Sequence, residues 1–174
     1  YISWLSEKSI DGILVCGTTG EALSLSEEEY DTLLRIAREI TKGKLKLSAG
    51  VCSASTDGAI KLSKLAEKNN VDCITVLTPF YIKPSQEDLY KHFEAIHNST
   101  NTPVMLYNNP GRACIGLSTR NIISLAQNLE RVVAIKDGSG STDQVLSVKQ
   151  ALGDDFTYLC GDDFDTINYI ANGA

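Results

Sequence analysis

The chain has 174 residues, of which 43% are hydrophobic and 22% charged, and its formal net charge is −6. That is enough apolar material for one packed domain and too little for two. An acidic chain without a basic cluster lacks the electrostatics for nucleic acid or an anionic membrane surface, which leaves small molecules and other protein subunits as partners.

The elements alternate along the chain. Tyr1–Lys8 reads as the tail of a helix, and Gly12–Cys16 is the first apolar strand. Ser26 and Glu29 form a capping box, with acid in the positive first turn, ahead of a stripe made by Leu33, Leu34, Ile36, Ala37 and Ile40. Leu45–Ala49 is the second strand, and Thr56 opens a helix carrying Ile60, Leu62, Leu65 and Ala66. Asp72–Leu77 is the third strand, and Ser85 caps the helix after it. Val104–Tyr107, Val132–Lys136 and Thr157–Cys160 complete the strands, followed by helices opening at Ser118, at Thr142 and over Phe164–Ala171. Strand starts recur every roughly 25–35 residues, the length of a βα unit. Most strands are continuously apolar, as parallel strands covered on both faces are.

This order, α-(βα)6, predicts an α/β fold with a parallel sheet. A doubly wound sheet would place its ligand at one topological switch point. A (β/α)8 TIM barrel would use every loop at the carboxyl ends of its strands. Polar or Gly-rich segments follow nearly every strand here: Gly17–Glu21, Thr78–Ser85, Asn108–Arg112, Asp137–Ser141 and Gly161–Asp163. That spread favours the barrel. The chain starts at Tyr1 without Met and stops at Ala174, each inside an unfinished pattern, so the expectation is one partial barrel domain over 1–174, truncated at both ends.

Five cysteines (Cys16, Cys52, Cys73, Cys114, Cys160) show no CxxC pair. They read as reduced structural thiols in a cytoplasmic protein. No run is long and apolar enough for a membrane span, and no signal peptide is expected. Asp154-Asp155 and Asp162-Asp163 give no third convergent ligand, so no metal site is expected. His92 and His97 lie on one helix, five residues apart, and read as surface residues.

Lys136 is the sharpest chemical feature. Counted alternately, Val132, Ala134 and Lys136 share a face, so in a barrel Lys136 looks into the mouth. An amine there is partly withdrawn from water, which favours the neutral nucleophile. Position alone leaves a second reading, a surface lysine paired with Asp137. Tyr107, at the end of its strand, could relay protons, or simply be a half-buried tyrosine. Arg112 follows a turn at Asn108-Asn109-Pro110-Gly111 and offers a fork for a carboxylate, unless it is only a solvated loop arginine. Gly17-Thr18-Thr19-Gly20-Glu21 combines hydroxyls with free backbone amides and suits a small carboxylate. It lacks the spacing of a nucleotide loop. Glu21 reads as closing hydrogen bonds within that loop. Tyr81 is a loop aromatic suited to a subunit contact.

Together, GTTGE (Gly17–Glu21), TPFY (Thr78–Tyr81), KPSQEDLYKHF (Lys83–Phe93), LYNNPGR (Leu106–Arg112), IKD (Ile135–Asp137) and GDD (Gly161–Asp163) resemble the motifs of the dihydrodipicolinate synthase and N-acetylneuraminate lyase superfamily, in order and along the whole chain. The resemblance implies a class I aldolase that needs no metal or cofactor, its imine forming between Lys136 and pyruvate. It implies that Tyr107 shuttles protons with Thr18 and with Tyr81 lent by a neighbouring subunit. It also implies that Thr19, within the Gly17–Gly20 loop, holds the pyruvate carboxylate, and that Arg112 receives the carboxylate of L-aspartate semialdehyde. The paired Thr18-Thr19 and the arginine after YNNPG favour a synthase over a lyase. The alternative is another Schiff-base aldolase of the superfamily, an N-acetylneuraminate lyase or a 2-keto-3-deoxy acid aldolase. A non-catalytic relative is the reading from another class, and retention of Lys136, Tyr107 and Thr18 argues against it. Family members are usually dimers of tight dimers, with Tyr81 at the tight interface.

Two departures stand out. Asp137 replaces the usual glutamate. Members inhibited by L-lysine typically carry His, Asn, Glu and Tyr where this chain has Tyr30, Ala54, Gly58 and Phe80, so weak or no lysine feedback is expected. An open barrel would leave sheet edges unpaired, so the 174 residues alone are expected to be unstable or inactive.

Overall fold

The computed structural model describes all 174 residues. Its strands are β1 (Gly12–Val15), β2 (Lys46–Val51), β3 (Cys73–Leu77), β4 (Val104–Asn108), β5 (Val132–Asp137) and β6 (Thr157–Cys160). All pair in parallel, in the order β1-β2-β3-β4-β5-β6. The order never reverses, so there is no switch point of the doubly wound kind. Sequential parallel order is that of a barrel wall, and the sheet curls as part of a (β/α)8 barrel.

The helices are α1 (Ile2–Leu5), α2 (Glu27–Thr41), α3 (Thr56–Lys68), α4 (Gln86–Ser99), α5 (Pro110–Ala113), α6 (Thr119–Asn128), α7 (Thr142–Leu152) and α8 (Thr166–Ala171). Neighbours pack in a row, α2 on α3, α3 on α4, α4 on α6 and α6 on α7. Local chemistry explains where they begin. Ser26 accepts from the Glu29 N–H while Glu29 reaches back to Ser26, and Ser85 and Asp88 repeat the box on α4. The helix-side core joins Leu34, Leu47, Ile74, Leu106, Ile122 and Ile135, all fully buried. Each such side chain contributes about 1.5–3 kcal/mol of burial. No helix is long and apolar enough to cross a membrane.

Several sequence expectations are corrected in detail. Cys16 leaves β1 because its φ is +55°, a left-handed conformation. Its carbonyl sits where a Cβ of residue 50 would be, which is why β2 carries Gly50 there. Thr56 does open α3, and the cap before it is Ser55, accepting from Gly58 N. The buried stripe of α2 is Tyr30, Leu34, Ala37 and Thr41, one true helical face, whereas Leu33 and Ile36 fall on its flank and are exposed. The segment over Phe164–Ala171 divides into a 3-10 turn, Asp163–Asp165, and α8.

His92 and His97 are buried, contrary to the surface reading. His92 Nδ1 meets Thr56 Oγ1 at 2.9 Å between α3 and α4, and Arg131 Nη2 reaches His97 Nδ1 at 3.2 Å. Burial pushes the His92 imidazole down to about 4. Burial also pushes the thiols of Cys16, Cys52 and Cys73 up to about 11, so they pack as protonated small hydrophobes.

Apolar surface is left open at both edges of the sheet. Tyr1, Trp4 and Ile10 are exposed beside β1, and Leu159, Phe164, Ile167 and Ile170 at β6, the 3-10 turn after it and α8. The inner face of the sheet borders a cavity of about 370 Å³ lined by Leu14, Ser48, Thr75, Met105, Lys136 and Leu159 among others.

Candidate active site

A bulge sets the inner row of β5. Val104 pairs with Val132 but Met105 with Ala134, so Val133 is an extra residue in the ladder. Val132 therefore belongs to the helix-side core with Ile135, and only Ala134 and Lys136 share the inner face. The simple alternation from Val132 fails at that point, although it assigns Lys136 correctly. Beyond the bulge, Tyr107 stands opposite Lys136 and Asn108 opposite Asp137.

The half-buried Lys136 amine lies over the Tyr107 ring, with Nζ 4.5 Å from the centroid. A cation over an aromatic face in a partly desolvated site is attracted by the ring quadrupole. Tyr107 is 4% exposed and packs with Cys52 and Leu77, more deeply than its half-buried reading. Its hydroxyl is 3.3 Å from Thr18 Oγ1 and accepts from Asn109 Nδ2 at 3.2 Å. These groups open into a second cavity, of about 430 Å³, lined by Thr18, Thr19, Tyr107, Asn109, Arg112 and Lys136, with Gly111, Gly138, Gly161 and Asp162. Lys136 thus stands where the barrel interior meets the mouth.

The loop after β1 turns on two left-handed residues, Cys16 and Glu21. Glu21 N donates to Thr18 O at 3.1 Å, and Ala22 N to Gly17 O at 3.2 Å. Glu21 closes the loop through its backbone; its side chain makes no hydrogen bond. Gly17 is buried beneath the turn and Gly20 packs over Cys16 N, so both shape the loop without lining the cavity. Pro110–Ala113 forms the single turn α5, with Asn109 as its N-cap and Pro110 at its first position, rather than a plain reverse turn. That turn carries Arg112 to the rim. Tyr81 is not brought there within this chain: it is 88% exposed, in a loop with left-handed Tyr81 and Lys83.

Asp137 does not pair with Lys136. It is fully buried on the opposite face of β5. Its Oδ1 accepts from Asn108 Nδ2 at 2.7 Å, and its Oδ2 from Ser139 Oγ, Tyr158 Oη and Tyr169 Oη at 2.8, 3.1 and 2.7 Å. Burial first, then the Asp137 carboxylate, push the phenols of Tyr158 and Tyr169 far up, which keeps both as donors. This network ties β4, β5, β6 and α8 together directly behind Tyr107 and Lys136. Sequence reasoning missed it, and missed Asn109 and Gly138 at the cavity. The adjacency of Asn108 and Asn109 to Tyr107 was the available signal. Asp162, read as structural, does cap the turn to Phe164, accepting from its N–H at 3.1 Å, and also borders the cavity.

The profile of the Dihydrodipicolinate synthetase family matches residues 1–174. The 4-hydroxy-tetrahydrodipicolinate synthase of Desulforudis audaxviator is 43% identical over 170 residues, covering 98% of this chain and 58% of that protein. Among solved structures, the 4-hydroxy-tetrahydrodipicolinate synthase of Methylacidiphilum fumariolicum SolV superposes with a TM-score of 0.96 at 40% identity, over 99% of this chain and 58% of its own. The Acinetobacter baumannii dihydrodipicolinate synthase, solved in complex with pyruvate, gives a TM-score of 0.95 at 34% identity, over 99% and 59%. The chain therefore spans about three fifths of the length of the relatives it matches. On a match that runs from its first residue to its last, the chain belongs to the Dihydrodipicolinate synthetase family.

Proposed function

We propose that this chain carries the Schiff-base centre of a 4-hydroxy-tetrahydrodipicolinate synthase, a lyase-class enzyme that condenses pyruvate with L-aspartate semialdehyde in lysine and diaminopimelate biosynthesis. The observation that carries the reading is the Lys136 amine lying over the Tyr107 ring in a cavity that Thr18, Thr19 and Arg112 also line. The pyruvate complex of the Acinetobacter baumannii relative supports pyruvate as the first substrate.

In this reading the amine nitrogen of Lys136 bonds to the keto carbon of pyruvate and the carbonyl oxygen leaves as water. Tyr107, with Thr18, delivers the proton that water needs. The iminium then acts as an electron sink, a methyl proton departs, and the enamine carbon attacks the aldehyde, whose oxygen takes up a proton. The amine of the second substrate then displaces Lys136 from the iminium carbon, closing the ring and freeing the lysine. Thr18 and Thr19, the two residues of the Gly17–Gly20 loop that line the cavity, hold the pyruvate carboxylate. Arg112, at the rim, receives the carboxylate of the second substrate as a bidentate pair. The exposed Tyr81 completes the relay of a second copy of the chain, within a dimer of dimers. Unpaired thiols fit a reducing, cytoplasmic compartment.

The test is borohydride trapping. Incubation of the intact protein with pyruvate and borohydride should leave a reduced, stable adduct on Lys136, located by peptide mass spectrometry and lost in Lys136→Met. Turnover should follow with aspartate semialdehyde and not with sugar-acid aldehydes. No adduct at Lys136 would overturn the reading.

A further inference from the structure

We propose that Asn109 is a positioning residue that sets the direction of proton transfer through Tyr107; this deepens the proposed function and rests on it. Asn109 stands at the N-cap of α5, where an asparagine side chain normally accepts from a backbone N–H of the first turn. Here it makes no such bond. Pro110 offers no N–H, and the Asn109 backbone carbonyl already accepts from Arg112 N and Ala113 N at 3.1 and 2.9 Å. The turn is closed without the side chain, which points instead at the Tyr107 hydroxyl, 3.2 Å from Nδ2. It reaches the hydroxyl through a gap between two glycines. A Cβ at Gly138 would lie 3.6 Å from Nδ2, and one at Gly111 3.7 Å from Oδ1.

The consequence follows from counting protons and lone pairs. A phenol has one proton and two lone pairs. The amide N–H of Asn109 occupies one lone pair, so the phenol proton cannot point at Asn109. It is left to Thr18, 3.3 Å away, or to a substrate oxygen in the cavity. Asn109 thereby holds Tyr107 as a donor toward the place where the carbinolamine oxygen must leave as water, and supports the oxygen when that proton has gone.

The test compares Asn109→Asp, Asn109→Ala and Asn109→Gln in the intact protein, by the single-turnover rate of borohydride-trappable adduct formation with pyruvate. Asp keeps the shape but replaces the donor by an acceptor. Gln keeps an amide donor on a longer arm. Asp and Ala should each slow trapping roughly tenfold, with the pyruvate KM within twofold and a larger solvent deuterium effect on the step, and Gln should recover part of the rate. Were the amide turned so that Oδ1 faced the phenol, Asp would serve as well as Asn. Asp at the parental rate overturns the inference, and it decides the matter should Ala fail to fold. A parent protein that traps no pyruvate sinks the underlying function instead; a parent that traps, with all three variants at its rate, sinks only the role of Asn109.

Discussion

Lys136 and Asp137 are neighbours in β5, yet the amine of Lys136 lies over the Tyr107 ring on the inner face while the carboxylate is buried among Asn108, Ser139, Tyr158 and Tyr169 on the helix side. The proposed chemistry and its support are thus carried by adjacent residues on opposite faces of one strand. The pairing Tyr107–Lys136 in register is followed at once by Asn108–Asp137, so the hydrogen bond behind the wall fixes the strand ends that present the two cavity groups. Precise placement of a reacting amine depends on such supporting contacts.

Asp137→Asn should therefore cost both stability and rate. Three hydroxyl donors converge on Oδ2 of Asp137, and a carboxamide at that position presents either one acceptor oxygen or an NH2 that opposes them. The expected loss is about 2 kcal/mol, the scale of a buried hydrogen bond to a charged group. Urea unfolding should show a lower midpoint at unchanged slope, and trapping at Lys136 should slow while the adduct remains at the same residue. An unchanged midpoint would show that the network carries no net stability.

Tyr81 is expected to act only between copies of the chain. Its side chain is 88% exposed and is not among the groups lining the cavity of its own chain. Tyr81→Ala should weaken self-association in sedimentation experiments and lower turnover. Tyr81→Phe should keep association and lose roughly a hundredfold in rate, because only the hydroxyl is removed. Equal turnover in parent and Phe variant would remove Tyr81 from the relay.

Much of this arrangement is legible in the amino-acid order because it is local. Continuous apolar runs mark strands covered on both faces, and Ser26–Glu29 and Ser85–Asp88 mark helix starts through contacts three residues apart. What was not legible is long-range or torsional. The bulge at Val133 depends on the register of β4 against β5. The burial of His92 depends on α3 packing against α4 through Thr56, and that of His97 on Arg131 reaching across from the start of β5. The donors of Asp137 are drawn from residues up to 32 positions away. Asn109 has the residue type of a cap and the side-chain torsion of a Tyr107 partner, which composition cannot reveal.

L-lysine should inhibit weakly or not at all. Tyr30, one of the positions that the family resemblance links to lysine feedback, is 2% exposed and donates its hydroxyl to Gly50 O at 3.0 Å. That donor is spent inside the core and cannot reach a ligand. Ala54 and Gly58 offer no side-chain polar group at two further positions. Initial rates of the intact protein at millimolar lysine should stay within twofold of the uninhibited rate; half-inhibition below one millimolar would contradict this.

Acid should destabilise the fold through His92. The imidazole is 4% exposed, its Nε2 has no hydrogen-bond partner, and burial depresses it from 6.5 to about 4. The sign follows from proton counting. Between pH 6.5 and 4 the unfolded chain binds a proton at this histidine that the folded chain refuses, so stability falls as pH drops through that window. Above pH 6.5 both states are neutral and the group contributes no slope. Below about pH 4 both are charged, and the accumulated loss levels off at about 3 kcal/mol. Carboxylates such as Asp72, held low by Arg38 and Leu47 N against the opposing effect of burial, add their own loss only at lower pH. His92→Gln keeps a polar contact for Thr56 without a titrating ring. Its urea midpoint should therefore decline less than the parent's between pH 6.5 and 4, while the two curves run parallel from pH 6.5 to 8. Parallel curves across the acid window as well would show that His92 is not the group that titrates.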